Sequence, residues 1–391
     1  MSTVRLPGRG TNLEPPNRFD GIEVLRDGFD QRAETLRGPT DATAGLVAAQ
    51  EATAARPRSD HPSVPGSSAG PMPGVRTSFE RDASRTILSA NQSPDIPFRY
   101  SLNPYRGCEH GCIYCYARPS HETLGWNAGI DFETRIRIKE DAPHLLRKTL
   151  STSRWVPQTV ALSGNTDCYQ PIERQLRLTR QCLEVFADFR NPVAVITKSA
   201  LVERDADVLA SLARRRAAEV RLSITTLDPD LARRMEPRAG SPQRRLDAIS
   251  RLADAGVPTA VMIAPVIPGL TDEEIPRILE AAARAGARSA GWLLLRLPHP
   301  VEELFSDWLE RHLPHRRKKV LSRIVETRGG GGRLTDTRFG RRMRGQGEYA
   351  KQIAALFAMH ARRHRLDRSL PGLETSSFRK PPAPGDQLAL L

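Results

Sequence analysis

This sequence is poor in cysteine, in aromatic residues and in lysine, and it contains no long apolar run. Five cysteines in 391 residues, three of them in one short stretch, are not the framework of a disulfide-built secreted domain. No segment approaches the roughly 18 consecutive apolar residues of a membrane-spanning helix, so none is expected. The opening residues, MSTVRLPGRGTNLEPP, lack the apolar stretch of a signal peptide, and the expectation is a cytoplasmic protein. Aromatic residues make up 5% and hydrophobic residues 39%, which is lean for a chain packed throughout. Part of it is therefore expected to lie outside any core. Lysine is scarce, with 7 against 52 arginines, so each lysine stands out.

What is present is a cluster of soft metal ligands. Cys108, Cys112 and Cys115 lie within NPYRGCEHGCIYCYAR as CxxxCxxC. Thiolates at this spacing select zinc or an iron–sulfur cluster. A [4Fe–4S] cube takes one outside ligand per iron, so three cysteines leave its fourth iron open. A structural zinc site would fill all four positions, and His110 and His121 are near enough in sequence to complete one. Cys168 and Cys182 lie too far along the chain to finish the motif, and two cysteines cannot hold a second all-cysteine cluster.

Composition divides the chain. Residues 1–92 are rich in Pro, Gly, Ser, Thr and Ala, with PRSDHPSVPGSSAGPMPG the least foldable part, and read as a mostly disordered N-terminal arm. Phe19 to Phe29 has enough apolar residues to act as an interaction segment. Residues 93–300 alternate short apolar runs with longer amphipathic ones, the pattern of βα units around a parallel sheet. Strands are expected at Phe98–Leu102, Thr159–Ser163, Val193–Thr197, Val220–Thr226, Thr259–Pro265 and Ser289–Leu295. Helices are expected at Pro171–Phe189, Arg204–Arg215, Pro242–Ala255 and Asp272–Ala285. Six units are too few for a closed eight-fold barrel. Functional groups in such folds gather at the carboxyl ends of the strands.

With Tyr114 directly before its last cysteine, the loop resembles the signature of radical S-adenosylmethionine (radical SAM) enzymes. SPDIPFRYSLNPYRGCEHGCIYCYARPSHETLG and GNTDCYQPIE resemble the branch containing spore photoproduct lyase and DNA repair photolyase-like proteins. The resemblance spans roughly residues 93 to 300. It implies an α/β fold, a partial (β/α)6 barrel, and two cofactors, a [4Fe–4S] cluster on Cys108, Cys112 and Cys115 and S-adenosylmethionine on the open iron. It also implies an external one-electron donor such as a flavodoxin or ferredoxin. One electron passed to the sulfonium releases a 5′-deoxyadenosyl radical, which abstracts hydrogen from a substrate.

Mapped onto strand ends, the resemblance suggests contacts to S-adenosylmethionine. After the second strand, Gly164 and Asn165 permit close backbone approach, and Asp167 is suited to the methionine ammonium. Lys198, after the third, is suited to the methionine carboxylate. Ser223 and Arg238 are further anion or ribose contacts, Pro265 offers an apolar surface for adenine, and Tyr114 lies beside the cofactor. Cys168 is a candidate hydrogen donor, although aligning Asp167 with the lyase pattern puts that donor nearer Gly164. Each has a structural alternative: Asp167 as a helix cap, Lys198 as surface charge, Tyr114 as core, Cys168 as a buried free thiol.

Charge is localised. Residues 311–391 hold 19 Lys or Arg against 6 Asp or Glu, which is +13 of the formal +14. HRRKK at 315–319, RLTDTRFGRRMR at 333–344 and RRHR at 362–365 carry most of it, with Phe339 and Tyr349 available for stacking on bases. Nucleic acid is the expected partner, bound through residues 311–391 of a basic helical C-terminal extension (301–370) that precedes a flexible tail (371–391). Gly329 to Gly332 reads as a hinge, and 346–366 as an amphipathic helix with Ile353, Leu356, Phe357 and His360 inward. The leading expectation is radical chemistry on DNA or RNA, with photolyase-like repair as its example. Radical modification of a protein, peptide or small molecule is one alternative, and a non-enzymatic zinc protein that binds nucleic acid is another.

Overall fold

The computed structural model describes residues 8–19 and 75–382. Ten strands follow in chain order: β1 (Ser78–Arg81), β2 (Leu88–Ala90), β3 (Tyr100–Leu102), β4 (Tyr105–Arg106), β5 (Arg135–Ile138), β6 (Val160–Leu162), β7 (Val193–Thr197), β8 (Ala218–Ser223), β9 (Thr259–Val266) and β10 (Ser289–Leu294). Seven form one sheet in the order β10-β9-β8-β7-β6-β3-β2. Its six strands from β3 to β10 are parallel and lie in sequence order, and β2 adds antiparallel to β3. That is the expected α/β architecture, an open run of six βα units. β7 is apolar up to its terminal Thr197, whereas β8 alternates Val220 and Leu222 with the Glu219–Arg221 ion pair, 2.8 Å apart.

All six expected strands are present, with shifted ends. The second shrinks to Val160–Leu162, and the fourth starts earlier, at Ala218. The helix expected from Pro171 breaks into Glu173–Leu176 and Leu178–Phe189 at Arg177, whose φ of 54° no helix can contain. Leu183, Phe186 and Phe189 of the second piece are buried against the sheet. Helices Ala206–Ala213, Pro242–Asp254 and Ile275–Arg284 complete the outer layer.

Two boundaries need correction. Part of the expected N-terminal arm is folded: β1 pairs in parallel with β5, which pairs with β4 in a second small sheet, and Ile87 is buried. Residues 8–19 thread along the cysteine loop, where Thr11 and Asn17 are buried. Composition could not reveal this, because these residues are held by backbone contacts with the core. Residues 1–7 and 20–74, which include the whole Phe19–Phe29 segment apart from Phe19 itself, lie outside the described residues. Residues 371–382 of the tail are also placed, with the rings of Phe378 and Phe189 6.1 Å apart and Glu374 N bonded to Arg216 O at 2.9 Å. Residues 383–391 lie outside the described residues.

The C-terminal extension contains helices Val301–His312, Pro314–Thr327 and Glu348–Arg363. In the last, Ile353 is buried and Leu356 and Phe357 pack on the main core, whereas His360 is half-buried and stacks on His364. This region also occupies the free edge of β10: Ala290 N donates to Leu366 O and Leu294 N to Met343 O, each at 2.9 Å. An edge strand so bonded is not available for pairing with another chain. Among the described residues, no helix is long and apolar enough to cross a membrane.

Candidate functional site

The cysteine loop leaves β4 at Gly107 and turns again at Gly111, with φ of 78° and 64°. Both conformations suit glycine, which carries no Cβ to strain them. The second turn is also crowded from outside, since a Cβ on Gly10 would lie 1.8 Å from Gly111 O. The buried Arg118 then ties the loop together. Its guanidinium donates to Cys112 O at 3.0 and 3.1 Å and to Gly129 O at 2.8 Å, and pairs with the buried Glu133 at 2.5 Å. Cys108 N bonds Phe132 O at 2.9 Å, fixing the first ligand position.

Cys108 and Cys112 are buried and Cys115 is half-buried. Burial pushes the Cys112 thiol well up, with nearby Glu236 adding and Lys198 opposing. Burial and neighbouring Cys108 push Cys115 up to about 11. Three sulfurs that sense one another in an apolar setting are a costly place for free thiolates and a good one for a cation that takes up their charge. Metal binding there must displace protons. Among the described residues, no three His, Cys, Asp or Glu side chains converge as one ion requires. A cube, in which each thiolate meets a different iron, does not need such convergence.

Neither histidine completes a zinc site. His121 is buried between Trp126 and Phe132, at ring distances of 5.0 and 5.5 Å, and burial drops it to about 4. His110 is turned to Asp167, Nδ1 to Oδ2 at 3.4 Å. Burial pulls its pKa down, but the Asp167 carboxylate and Cys108 hold it up to about 10. It thus stands as an N–H donor behind a cysteine ligand, the usual place for a group that orients and tunes a metal centre.

The structure brings most of the sequence candidates to this loop. Tyr116 Oη donates to Gly164 O at 2.5 Å, and Asn165 Nδ2 donates to Ser120 Oγ at 3.3 Å, so the end of β6 lies on the loop. Lys198 reaches from the end of β7 over the Tyr114 ring at 5.8 Å and donates to Ala264 O at 2.7 Å. Pro265, the next residue, follows that carbonyl on β9 and is half-buried. Ser223 is buried at the end of β8, where its carbonyl accepts from Arg245 Nη1 at 2.9 Å. The Tyr114 hydroxyl lies 3.1 Å from Thr225 Oγ1 and bonds to Glu236.

Three candidates are placed otherwise. Asp167 is encircled by donors: Thr197 Oγ1 at 2.7 Å, Lys198 N at 2.8 Å, Tyr169 N at 2.9 Å and His110. Burial alone would raise its pKa, yet His110 and those donors hold it at about 2. Its lone pairs are spent, so it locks the loop to β7 and does not await an ammonium. Arg238 leaves the strand ends, pairing with Glu109 at 2.9 Å on the outer side of the loop. Cys168 is fully buried in the main core, its N bonded to Ser163 Oγ at 3.0 Å and its carbonyl accepting from Thr179 Oγ1 at 2.6 Å. Burial holds its thiol far above the ordinary cysteine range. That is a packing residue rather than a hydrogen donor.

The sequence reading missed Glu236 and Arg245. They form a fully buried pair that joins Tyr114, Thr225 and the Ser223 carbonyl into one network. Burial works against the Glu236 carboxylate, but Arg245 and then Lys198 draw its pKa to about 2. Glu236 stands two residues before Arg238 in MEPRAGS, among Arg233, Arg234 and Arg238, so nothing in the sequence set its carboxylate apart.

Residues 102–282 match the family model of the radical SAM superfamily. This chain carries a radical SAM domain. The family uses a [4Fe–4S] cluster and S-adenosylmethionine, and the donor set fits both: three coupled thiols on one loop, with Lys198 and the ends of β6 and β8 beside them. An uncharacterized protein of Mycobacterium tuberculosis is 38% identical over 221 residues, covering 56% of this chain and 65% of that protein. The chain thus spans just under two thirds of that relative. A radical SAM Nα-GlyT isomerase of Pseudomonas phage M6 is 25% identical over 185 residues, covering 47% of this chain and 36% of the isomerase. Among solved structures, spore photoproduct lyase complexed with dinucleoside spore photoproduct superposes with a TM-score of 0.51 at 16% identity, covering 73% of this chain and 78% of the lyase. At that identity the shared property is the fold.

Proposed function

We propose that this protein is a radical SAM enzyme that abstracts hydrogen from nucleic acid. The observation that carries the reading is a basic loop lying across the seam of the open sheet. Residues 333–346 leave the β10 edge, where Met343 O accepts from Leu294 N at 2.9 Å, and reach the turn before β3. There Gly340 N and Arg342 Nε donate to Asp95 at 2.7 and 2.6 Å, and Arg342 Nη2 donates to Ser93 Oγ at 2.6 Å. Arg333, Arg341 and Phe339 are exposed on this loop. Arg296, just past β10, makes no ion pair among the described residues and lies over the Tyr116 ring at 5.3 Å, next to the cysteine loop. Guanidinia without carboxylate partners suit phosphates, while the Phe339 ring is already covered on one side by Arg342 at 4.4 Å. The lyase complex binds a dinucleoside photoproduct, which supports the same reading. Tyr349 does not serve as a stacking platform: its hydroxyl bonds Asp272 and Arg323 covers its ring at 4.4 Å.

When bound, the cluster and S-adenosylmethionine supply a reductively generated 5′-deoxyadenosyl radical. The chain's own residues hold and shield it. Cys108, Cys112 and Cys115 would ligate three irons, and His110 would donate a hydrogen bond to the Cys108 sulfur. Lys198 is the cation available to the methionine carboxylate. Tyr114, Ile267, Leu270 and Leu295 pack into one apolar cluster behind the loop and exclude water there. Cys168, sealed in the core, is given no role as a hydrogen donor in this reading.

Anaerobic reconstitution followed by incubation with deuterated DNA and RNA oligonucleotides tests this reading. Deuterium in 5′-deoxyadenosine supports it. Cofactor cleavage without label from any nucleic acid, alongside label from a peptide, overturns the substrate and moves the chemistry to protein.

A further inference from the structure

A radical SAM centre takes its electron from an outside reductant, and with Cys168 and Cys182 both fully buried in the main core no second all-cysteine cluster stands ready to relay it. Behind the cysteine loop lies a cavity of about 610 Å³ lined by Arg9, Arg76, Arg238, Phe79, Glu109 and the chain around Val75. It meets the cysteine loop at Glu109. Glu109 is adjacent to Cys108, and Arg238 N bonds His110 O at 3.3 Å. The arginines are concentrated there against electrostatic resistance. Arg9 Nη2 and Arg238 Nη1 both donate to Thr77 Oγ1, at 2.8 and 3.3 Å. Burial and the Arg238 charge lower the pKa of Arg9. The one carboxylate lining the cavity, Glu109, is already paired with Arg238 at 2.9 Å. Arg76 is exposed and makes no hydrogen bond or ion pair among the described residues, while Phe79 and Val75 are 42% and 39% exposed.

We propose that this cleft is the docking site for an acidic one-electron carrier protein, with Arg76 and Phe79 on its outer rim. The proposal rests on the radical SAM reading but not on the identity of the substrate. A basic, partly apolar concavity complements a carrier whose acidic rim surrounds an apolar cofactor edge, and charge of this kind steers encounter. The electron count is simple. The reduced carrier loses one electron, the cluster gains it, and no proton or group moves.

The test uses the reconstituted full chain and hydroquinone flavodoxin, following cluster reduction by stopped-flow absorbance and by its paramagnetic signal. Arg76→Glu combined with Phe79→Ser is expected to slow reduction by flavodoxin about tenfold or more at low salt, while dithionite reduces wild type and variant alike. Arg76→Gln, which only removes the charge, is expected to fall between. Arg368→Glu, an equal charge reversal on the exposed C-terminal segment, is expected to leave the rate unchanged. Equal rates for wild type and the double variant, or an equal loss in Arg368→Glu, would overturn the docking site. A wild-type cluster that dithionite reduces without cleavage of S-adenosylmethionine would instead overturn the radical SAM reading, and the reduction rates would still decide the docking site.

Discussion

Lys198 Nζ donates a 2.7 Å hydrogen bond to Ala264 O, two strands away across β8. The bond holds a rare lysine over Tyr114, where its charge lowers the pKa values of Cys112, Cys115 and Glu236 against their burial. Lys198→Met is therefore expected to weaken S-adenosylmethionine binding about 10- to 100-fold, the loss of one charge-assisted hydrogen bond. Equilibrium binding to reconstituted protein measures it, with cluster absorbance as the control. An unchanged dissociation constant would remove Lys198 from the cofactor site.

Glu236 and Arg245 are buried together, so removing one strands the other. Glu236→Gln is expected to cost about 3–5 kcal/mol, read from the midpoint of urea unfolding. The pH dependence follows from the sign of the shift. Folding lowers the Glu236 pKa to about 2, so its contribution is full above the unfolded value of about 4.5 and fades as pH falls from there towards 2. Wild type should lose more stability than Glu236→Gln over that interval.

Replacing Cys108, Cys112 or Cys115 with alanine should abolish iron–sulfur absorbance and cofactor cleavage. Cys168→Ala should retain both, and lose about 1–2 kcal/mol of stability through a small cavity. If Cys168→Ala instead kept cleavage but altered the product, the core thiol would be reaching the substrate.

Gly10 touches the cysteine loop through backbone alone, with the position of a Cβ only 1.8 Å from Gly111 O. Gly10→Ala must displace either the N-terminal segment or the loop. It is expected to reduce iron retained after reconstitution and gel filtration, while circular dichroism of the barrel stays unchanged. Full iron content would show that the segment shifts without strain on the loop.

Arg333→Glu combined with Arg341→Glu should weaken oligonucleotide binding and flatten its dependence on salt by about two phosphate contacts. Titrations at several salt concentrations would show it. An unaltered slope would place nucleic acid elsewhere or nowhere on this chain.

The parts legible in the sequence were the local ones. Three cysteines at CxxxCxxC announce a metal loop because its ligands are neighbours in the chain. Apolar runs at Val193–Thr197 and Thr259–Val266 announce strands because periodicity is a short-range property. Composition misled at Gly10, in a Gly- and Pro-containing stretch, and at Ile87, in a polar one, because both are held by contacts with residues far along the chain.

By itself, then, the sequence determined that three thiols share one metal-binding loop and in what order the βα units follow. Only the tertiary structure decided which charges meet. Asp167 is consumed by His110, Thr197 and Lys198, Arg238 is drawn to Glu109, and Glu236 finds Arg245 beneath Tyr114. A charged side chain states only that it needs a partner or water. The partner is set by which loops the sheet brings together, and in a low-dielectric interior that choice fixes whether the group holds the fold or stays free for chemistry.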